Sequence, residues 1–221
     1  MFSLSRVSLR ECTVDNIDIL LSADRPRSHR TMSMCTSRCV LKLNYVTSRR
    51  PGEGRYAKLE REQRWLLSSV PRSAVDERVI VDHYWNATTL RLRMIEEGDE
   101  AVYKLCQKVR VDESDPRLVK ITNIYLSMSE FDQLSVTPAS IIAKSRWTIS
   151  ANGVTFSIDE FKGRHAGLVL AEVELDEHGP LIAKPPFAVV DVSSDNEYSG
   201  GWLAAATEME LRRVINRSVE H

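Results

Sequence analysis

The chain has 221 residues and a formal net charge of −1, which fits one domain of ordinary size plus an extension and excludes a global basic field for nucleic acid. No apolar run approaches the ~18 residues that a membrane-spanning helix needs. The four cysteines are Cys12, Cys35, Cys39 and Cys106. They form no paired framework: Cys35 and Cys39 are spaced CxxxC, but no second ligand pair follows to complete a zinc site. A single cysteine in the core region suits a reducing compartment, so the expected location is the cytoplasm.

Residues 1–55 hold ten Arg or Lys against five Asp or Glu, with Ser and Thr scattered between. The best apolar run, Ile17–Leu21, is flanked by Asp15, Asp18 and Asp24 and lacks a small-residue cleavage site, so it is a poor secretory core. Acidic residues are also too common for an organelle transit peptide. The expectation is a disordered or weakly structured extension, with a start codon placed too early as the alternative. Val40–Val46 is compatible with a short strand or a helix, and Arg49–Gly54 is a linker by composition. Residues 56–221 then form the domain.

The first strand is expected over Ala57–Leu67, and Arg78–Trp85, Leu90–Ile95, Ala101–Val109 and Leu118–Leu126 follow as strands two to five. Glu96-Glu97-Gly98-Asp99 is a hairpin signal between the third and fourth. Ser127 with Glu130 reads as a capping box that starts a short helix through Leu134, ending before Pro138. Ile141–Ile149 and Val154–Asp159 are strands six and seven, with Asn152-Gly153 a type I′ turn candidate. Leu168–Leu175 is strand eight. Ala188–Val192 is a possible further strand, and Trp202–Asn216 reads as one amphipathic helix whose apolar side packs on the outside of the sheet. Eight strands joined mostly by short turns suit an α+β protein built on a small closed antiparallel eight-stranded barrel with a few flanking helices.

Charge is distributed along these strands with period two. Glu60, Glu62 and Arg64 share one face of the first strand. Two such carboxylates lie roughly 6.5–7 Å apart along the chain and repel unless a cation separates or faces them. Arg91 and Arg93, Lys104 and Lys108, and Lys144 and Arg146 repeat the pattern with positive charge. Glu172 and Glu174 return paired carboxylates. An open sheet would turn these faces to water, whereas a closed barrel would line its interior with them. His165, in a glycine-flanked loop, reads as exposed, and Lys120 as a structural surface residue.

In this order the motifs resemble the CYTH family, the triphosphate tunnel metalloenzymes. The likeness runs from an ExExK-like Glu60-Arg61-Glu62-Gln63-Arg64, through Arg91/Arg93, Lys104/Lys108 and Lys144/Arg146, to Ile158-Asp159-Glu160-Phe161-Lys162-Gly163 and Gly167-Leu168-Val169-Leu170-Ala171-Glu172-Val173-Glu174. Asp191-Val192-Ser193 and Tyr198-Ser199-Gly200-Gly201 resemble the family's ending, and the whole likeness covers about two thirds of the chain. The resemblance implies a metal-dependent triphosphatase acting on inorganic or organic triphosphate inside a charged tunnel. Glu60, Glu62 and Arg64 would be catalytic. Arg91, Arg93, Lys104, Lys108, Lys144 and Arg146 would bind substrate, and Glu60, Glu62, Asp159, Glu172 and Glu174 would hold Mg²⁺ or Mn²⁺. Adenylate cyclase activity and triphosphate binding without turnover are the alternatives. The expected partner is a triphosphate-containing small molecule, with no nucleic acid or membrane, for a monomer or homodimer. Two departures stand out: Arg64 replaces the signature lysine, and Leu118–Leu126 carries no carboxylate where many relatives have one.

Overall fold

Alternation of apolar and charged side chains produces a run of strands that close on themselves. The computed structural model describes residues 51–112 and 115–217. The expected N-terminal extension up to residue 50, with Cys12, Cys35 and Cys39, lies outside the described residues. The strands are β1 (Lys58–Leu67), β2 (Val75–Tyr84), β3 (Leu90–Glu97), β4 (Glu100–Arg110), β5 (Leu118–Leu126), β6 (Ser140–Ala151), β7 (Val154–Phe161), β8 (Val169–Leu175) and the short β9 (Val190–Asp191). In space the order is β5-β4-β3-β2-β6-β7-β8-β1, and β1 pairs back to β5. Eight antiparallel strands therefore form a closed barrel, with β9 added outside the ring against β1. The closing contact is short, from Lys58↔Ile121 to Arg61↔Leu118, whereas β1 pairs with β8 from Arg61↔Leu175 to Leu67↔Val169.

The Asn152-Gly153 turn has φ of 52° and 77° at its two residues, the double left-handed geometry of a type I′ hairpin. The helix after β5, α1 (Met128–Ser135), starts at Ser127 with both halves of the capping box formed. It seats Phe131 against His83 and Tyr103 on the outer wall.

Two apolar clusters hold the barrel, one on each face of its wall. Outside, Trp65, Leu67, Phe156, Ile158, Ala171 and Val173 are covered by Ile182, Phe187 and Ala188 of the segment after β8. Phe156 packs edge-on to Trp65 at 5.7 Å and to Phe187 at 5.4 Å between centroids. Inside, the inward rows of β1, β6, β7 and β8 end in Leu66, Ile142, Phe161 and Leu170, which pack with Leu203, Leu211 and Val214 of the C-terminal helices. Each fully buried side chain of this size contributes about 1.5–3 kcal/mol.

The expected single C-terminal helix is two, α2 (Gly200–Ala205) and α3 (Glu208–Asn216). Ala206 and Thr207 are extended, because the Thr207 hydroxyl accepts a hydrogen bond from the Glu210 amide and the Glu210 carboxylate accepts one from the Thr207 amide. This capping box restarts the chain as a new helix. The same helices correct the reading of His165: it is buried, with Nε2 at 3.0 Å from the Leu203 carbonyl oxygen, and burial lowers its pKa. Among the described residues no helix is long and apolar enough to cross a membrane.

Candidate active site

Register turns the charged rows into one surface. Antiparallel pairing sets Arg64 opposite Glu172 and Glu62 opposite Glu174 across β1 and β8. It sets Arg93 between Asp82 and Lys104, and Arg146 opposite Asp159. The result is a cavity of ≈ 630 Å³ whose wall includes Glu60, Glu62, Arg64, Arg91, Arg93, Lys104, Lys108, Lys144, Arg146, Glu172 and Glu174. Eleven of the twelve residues expected in the site thus share one lumen. Asp159 is the exception: it shares the inward face of β7 with Ser157 and Phe161 but is fully buried beneath two wall cations, where Arg146 reaches it through Nε and Nη2, both at 2.6 Å, and Lys144 donates a further hydrogen bond. Its oxygens serve as counter-ion to two wall cations, which leaves them no part in lining the lumen.

The lumen contains eight cationic side chains, Arg110 among them, against five carboxylates. Charges in so confined a space persist only when paired, and here almost all are. Arg64 bridges Glu62 and Glu172, with Nε 2.8 Å from the latter. Lys108 Nζ lies 3.1 Å from Glu60 and 3.2 Å from Glu62, and Arg146 donates to Glu172 at 2.7 Å. Burial raises the Glu62 pKa, but Lys108 and Arg64 outweigh it and hold the carboxyl at about 2. Glu172 is likewise held well below the usual range, against burial, by Arg64, Lys144 and Arg146. Glu60 goes the other way: burial raises it, and the neighbouring carboxylates of Glu62 and Glu174 add to that against Lys108. Lys104 is lowered by burial and by the positive charges of Arg93 and Arg91. Its ammonium sits 5.9 Å from the centre of the Tyr125 ring.

Sequence reasoning missed two wall residues on β2. Asp82 is buried and clamps Arg93 through two 2.6 Å hydrogen bonds. Tyr84 lies two residues on in the same inward row, with its hydroxyl against Gly200: a Cβ there would come within 2.1 Å of it. The signal was a lone acid in the apolar run Val79-Ile80-Val81-Asp82-His83-Tyr84, at the parity of Ile80 and Tyr84. Of the two departures noted above, Arg64 proves well placed, since its fork spans two carboxylates where an ammonium is a point charge. The inward row of β5 is Val119, Ile121 and Asn123, so no carboxylate enters from that wall. Asp191 does not line the lumen. It accepts from the Ser193 backbone amide at 2.8 Å, and the Ser193 hydroxyl receives the Arg64 backbone amide at 2.9 Å, which fixes the outer edge of β1. Tyr198 does line it.

Among the described residues no three His, Cys, Asp or Glu side chains are gathered to hold a metal ion, because the acids are drawn onto Arg64, Lys108 and Arg146. The donor set nonetheless fits a hard cation in kind. Glu60, Glu62, Glu172 and Glu174 are all oxygen donors, they occupy adjacent strands β1 and β8, and burial together with repulsion from Glu62 and Glu174 raises the Glu60 pKa.

The described residues form a closed eight-stranded antiparallel barrel whose lumen is lined by acidic and basic side chains, the architecture that the motif resemblance implies. The chain is 36% identical over 58 residues to the inorganic triphosphatase of Acetivibrio thermocellus, a match covering 26% of this chain and 37% of that protein. The chain thus spans little more than a third of the length of the curated relative it matches. Among solved structures, an inorganic triphosphatase shares 22% identity with a TM-score of 0.48, over 67% of this chain and 95% of that one. A putative adenylate cyclase from Bacillus halodurans shares 15% identity with a TM-score of 0.36, over 73% and 91%. No family model matches the sequence.

Proposed function

We propose that this domain hydrolyses the terminal phosphate of a triphosphate inside its barrel, inorganic triphosphate being the simplest substrate, with Mg²⁺ or Mn²⁺ as cofactor. The observation that supports it most is that one lumen brings carboxylates of β1 and β8 together with an excess of cations from β3, β4 and β6. A linear polyanion can lie between those basic side chains and the acidic ones. A relative named as an inorganic triphosphatase, matched over 58 residues, supports the same reading.

In this reading Glu60, Glu62, Glu172 and Glu174 hold the divalent cation. When bound, it neutralises phosphate charge and lowers the pKa of an attacking water. Arg91, Lys104, Lys144 and Arg146 orient the phosphate chain and stabilise the charge that spreads over the equatorial oxygens in the transition state. Arginine does this bidentately and lysine as a point charge. Arg64 holds Glu62 and Glu172 in place and keeps its proton throughout. Asp159 fixes Lys144 and Arg146 from beneath.

The test is orthophosphate release from inorganic triphosphate, ATP and other organic triphosphates, with Mg²⁺, Mn²⁺ or EDTA. Release is expected with either metal and not with EDTA. It is expected to fall at least ~100-fold in Glu60→Ala and Glu172→Ala, the scale of losing a metal-site carboxylate. Wild-type-like turnover in both variants, properly folded, rejects the proposal. One observation favours a second reading, binding without turnover: the inward row of β5 contributes no acid to position water. Tight triphosphate binding by calorimetry with no release under either metal selects that reading. Cyclic nucleotide as the product from ATP would instead identify a cyclase.

A further inference from the structure

We infer that Asp82 is a resident anion that occupies one phosphate position of the lumen and so limits the length of the polyphosphate it accepts. This rests on the triphosphate reading above and goes beyond it by assigning a specificity-determining residue. Around the ring, β2 lies four strands from β1 in either direction, so Asp82 stands on the wall opposite Glu60 and Glu62.

Its contacts are those a bound phosphate would make. Asp82 Oδ1 and Oδ2 each accept a hydrogen bond from the Arg93 guanidinium at 2.6 Å, a two-pronged fork, and Oδ1 lies 3.6 Å from Arg91 Nε. Bidentate pairing of arginine is geometrically alike for carboxylate and phosphate. The group stays ionised: burial opposes the charge, but Arg93 and Arg91 outweigh it and depress the pKa far below the usual range. Arg91 is less committed: its buried Nε has no hydrogen-bond partner, its Nη2 lies 3.4 Å from the Cys106 sulfur, and its remaining side-chain hydrogen bond goes to the neutral Tyr84 hydroxyl. The two arginines of β3 are therefore unequal. Arg93 is committed to Asp82, and Arg91 retains donors for substrate. A phosphate added at this end of the chain would meet a carboxylate where it needs a guanidinium, and like charges at that distance repel strongly in a partly dry site. Inorganic phosphate chains beyond the third unit are the ligands so excluded.

Calorimetry in EDTA with pyrophosphate, triphosphate and tetraphosphate tests this without turnover. In the wild type, tetraphosphate is expected to bind no more than about twofold tighter than triphosphate, less than one charged hydrogen bond provides. In Asp82→Asn, which keeps the shape and removes the charge, the preference for tetraphosphate over triphosphate is expected to rise about tenfold, the gain of one such bond. The double variant Asp82→Asn/Arg93→Gln is expected to lose that gain, because the freed guanidinium supplies it; thermal melts confirm that both variants are folded. Should Asp82→Asn tighten all three anions equally, Asp82 acts only through its field and the inference fails. Unchanged selectivity, or a gain that survives loss of Arg93, also overturns it. If Asp82→Asn does not fold, Asp82→Glu serves: a longer acid reaching further into the lumen must lower the tetraphosphate-to-triphosphate preference, and an unchanged ratio refutes the assignment. Binding that follows this pattern in a protein releasing no phosphate would sink the hydrolase reading and leave this one standing.

Discussion

Replacing Asp159 by alanine separates a buried counter-ion from a metal ligand. Asp159 is fully buried and neutralises both Lys144, itself buried, and Arg146. After Asp159→Ala, Arg146 keeps Glu172 at 2.7 Å, while Lys144 loses the carboxylate to which it donates. Breaking a buried ion pair by removing one partner costs about 3–5 kcal/mol. For a domain of this size each kcal/mol shifts the melting temperature by roughly 2–4 °C, so a fall of about 6–20 °C is expected. Urea titration of the apo protein in EDTA measures the same loss as free energy. Asp159→Ala/Lys144→Met, which removes the orphaned charge, is expected to recover at least about half of it. A metal ligand behaves otherwise: its loss costs little in EDTA and instead removes the stabilisation that added Mn²⁺ provides. If Asp159→Ala unfolds within about 1 kcal/mol of wild type in EDTA, the counter-ion assignment is wrong.

Gly200→Ala is expected to destabilise by about 1–3 kcal/mol in thermal melts and to weaken triphosphate binding. The new Cβ would lie 2.1 Å from the Tyr84 hydroxyl, and that ring forms part of the lumen wall. Glu62 has its pKa depressed from 4.5 to about 2. A depressed carboxyl stabilises the fold above its unfolded value, and the contribution is lost as pH falls through the folded one. Glu62→Gln is therefore expected to flatten the loss of stability between those two pH values, measured by urea midpoints; a slope as steep as wild type counts against the pairing with Lys108 and Arg64. Thr207→Ala removes the cap of α3 and is expected to cost about 0.5–2 kcal/mol, read from the same titrations.

Strand parity was legible in the sequence wherever two like charges sat two residues apart. Arg91 with Arg93, Lys144 with Arg146 and Glu172 with Glu174 all point into the lumen, as a period of two requires. Asp82 escaped because its row is otherwise Ile80 and Tyr84, and only the register with Arg93 reveals its partner. Asp159 shares the period, yet its side chain is covered by those of Lys144 and Arg146, a fact of packing that spacing does not carry. His165 was misread because the helix that covers it arrives from about 40 residues later in the chain, through Leu203. The break at Ala206-Thr207 was written locally, as Thr-x-x-Glu, but the apolar pattern of a longer helix overran it.

The barrel's closing contact has a mechanical consequence. Between β1 and β5 only the residues from Lys58 to Arg61 face Ile121 to Leu118, while Trp65 and Leu66 turn to β9 instead. The ring thus has a short run of rungs at this seam, as it also has between β7 and β8, but among the described residues only here does a strand leave its neighbour to pair with β9. Parting those few rungs lets the circumference spread while the other seven ladders stay intact, and Glu60 sits on the flap that would swing. An expansion joint at that place lets a bulky anion enter sideways, and amide hydrogen exchange should find its fastest strand protons there.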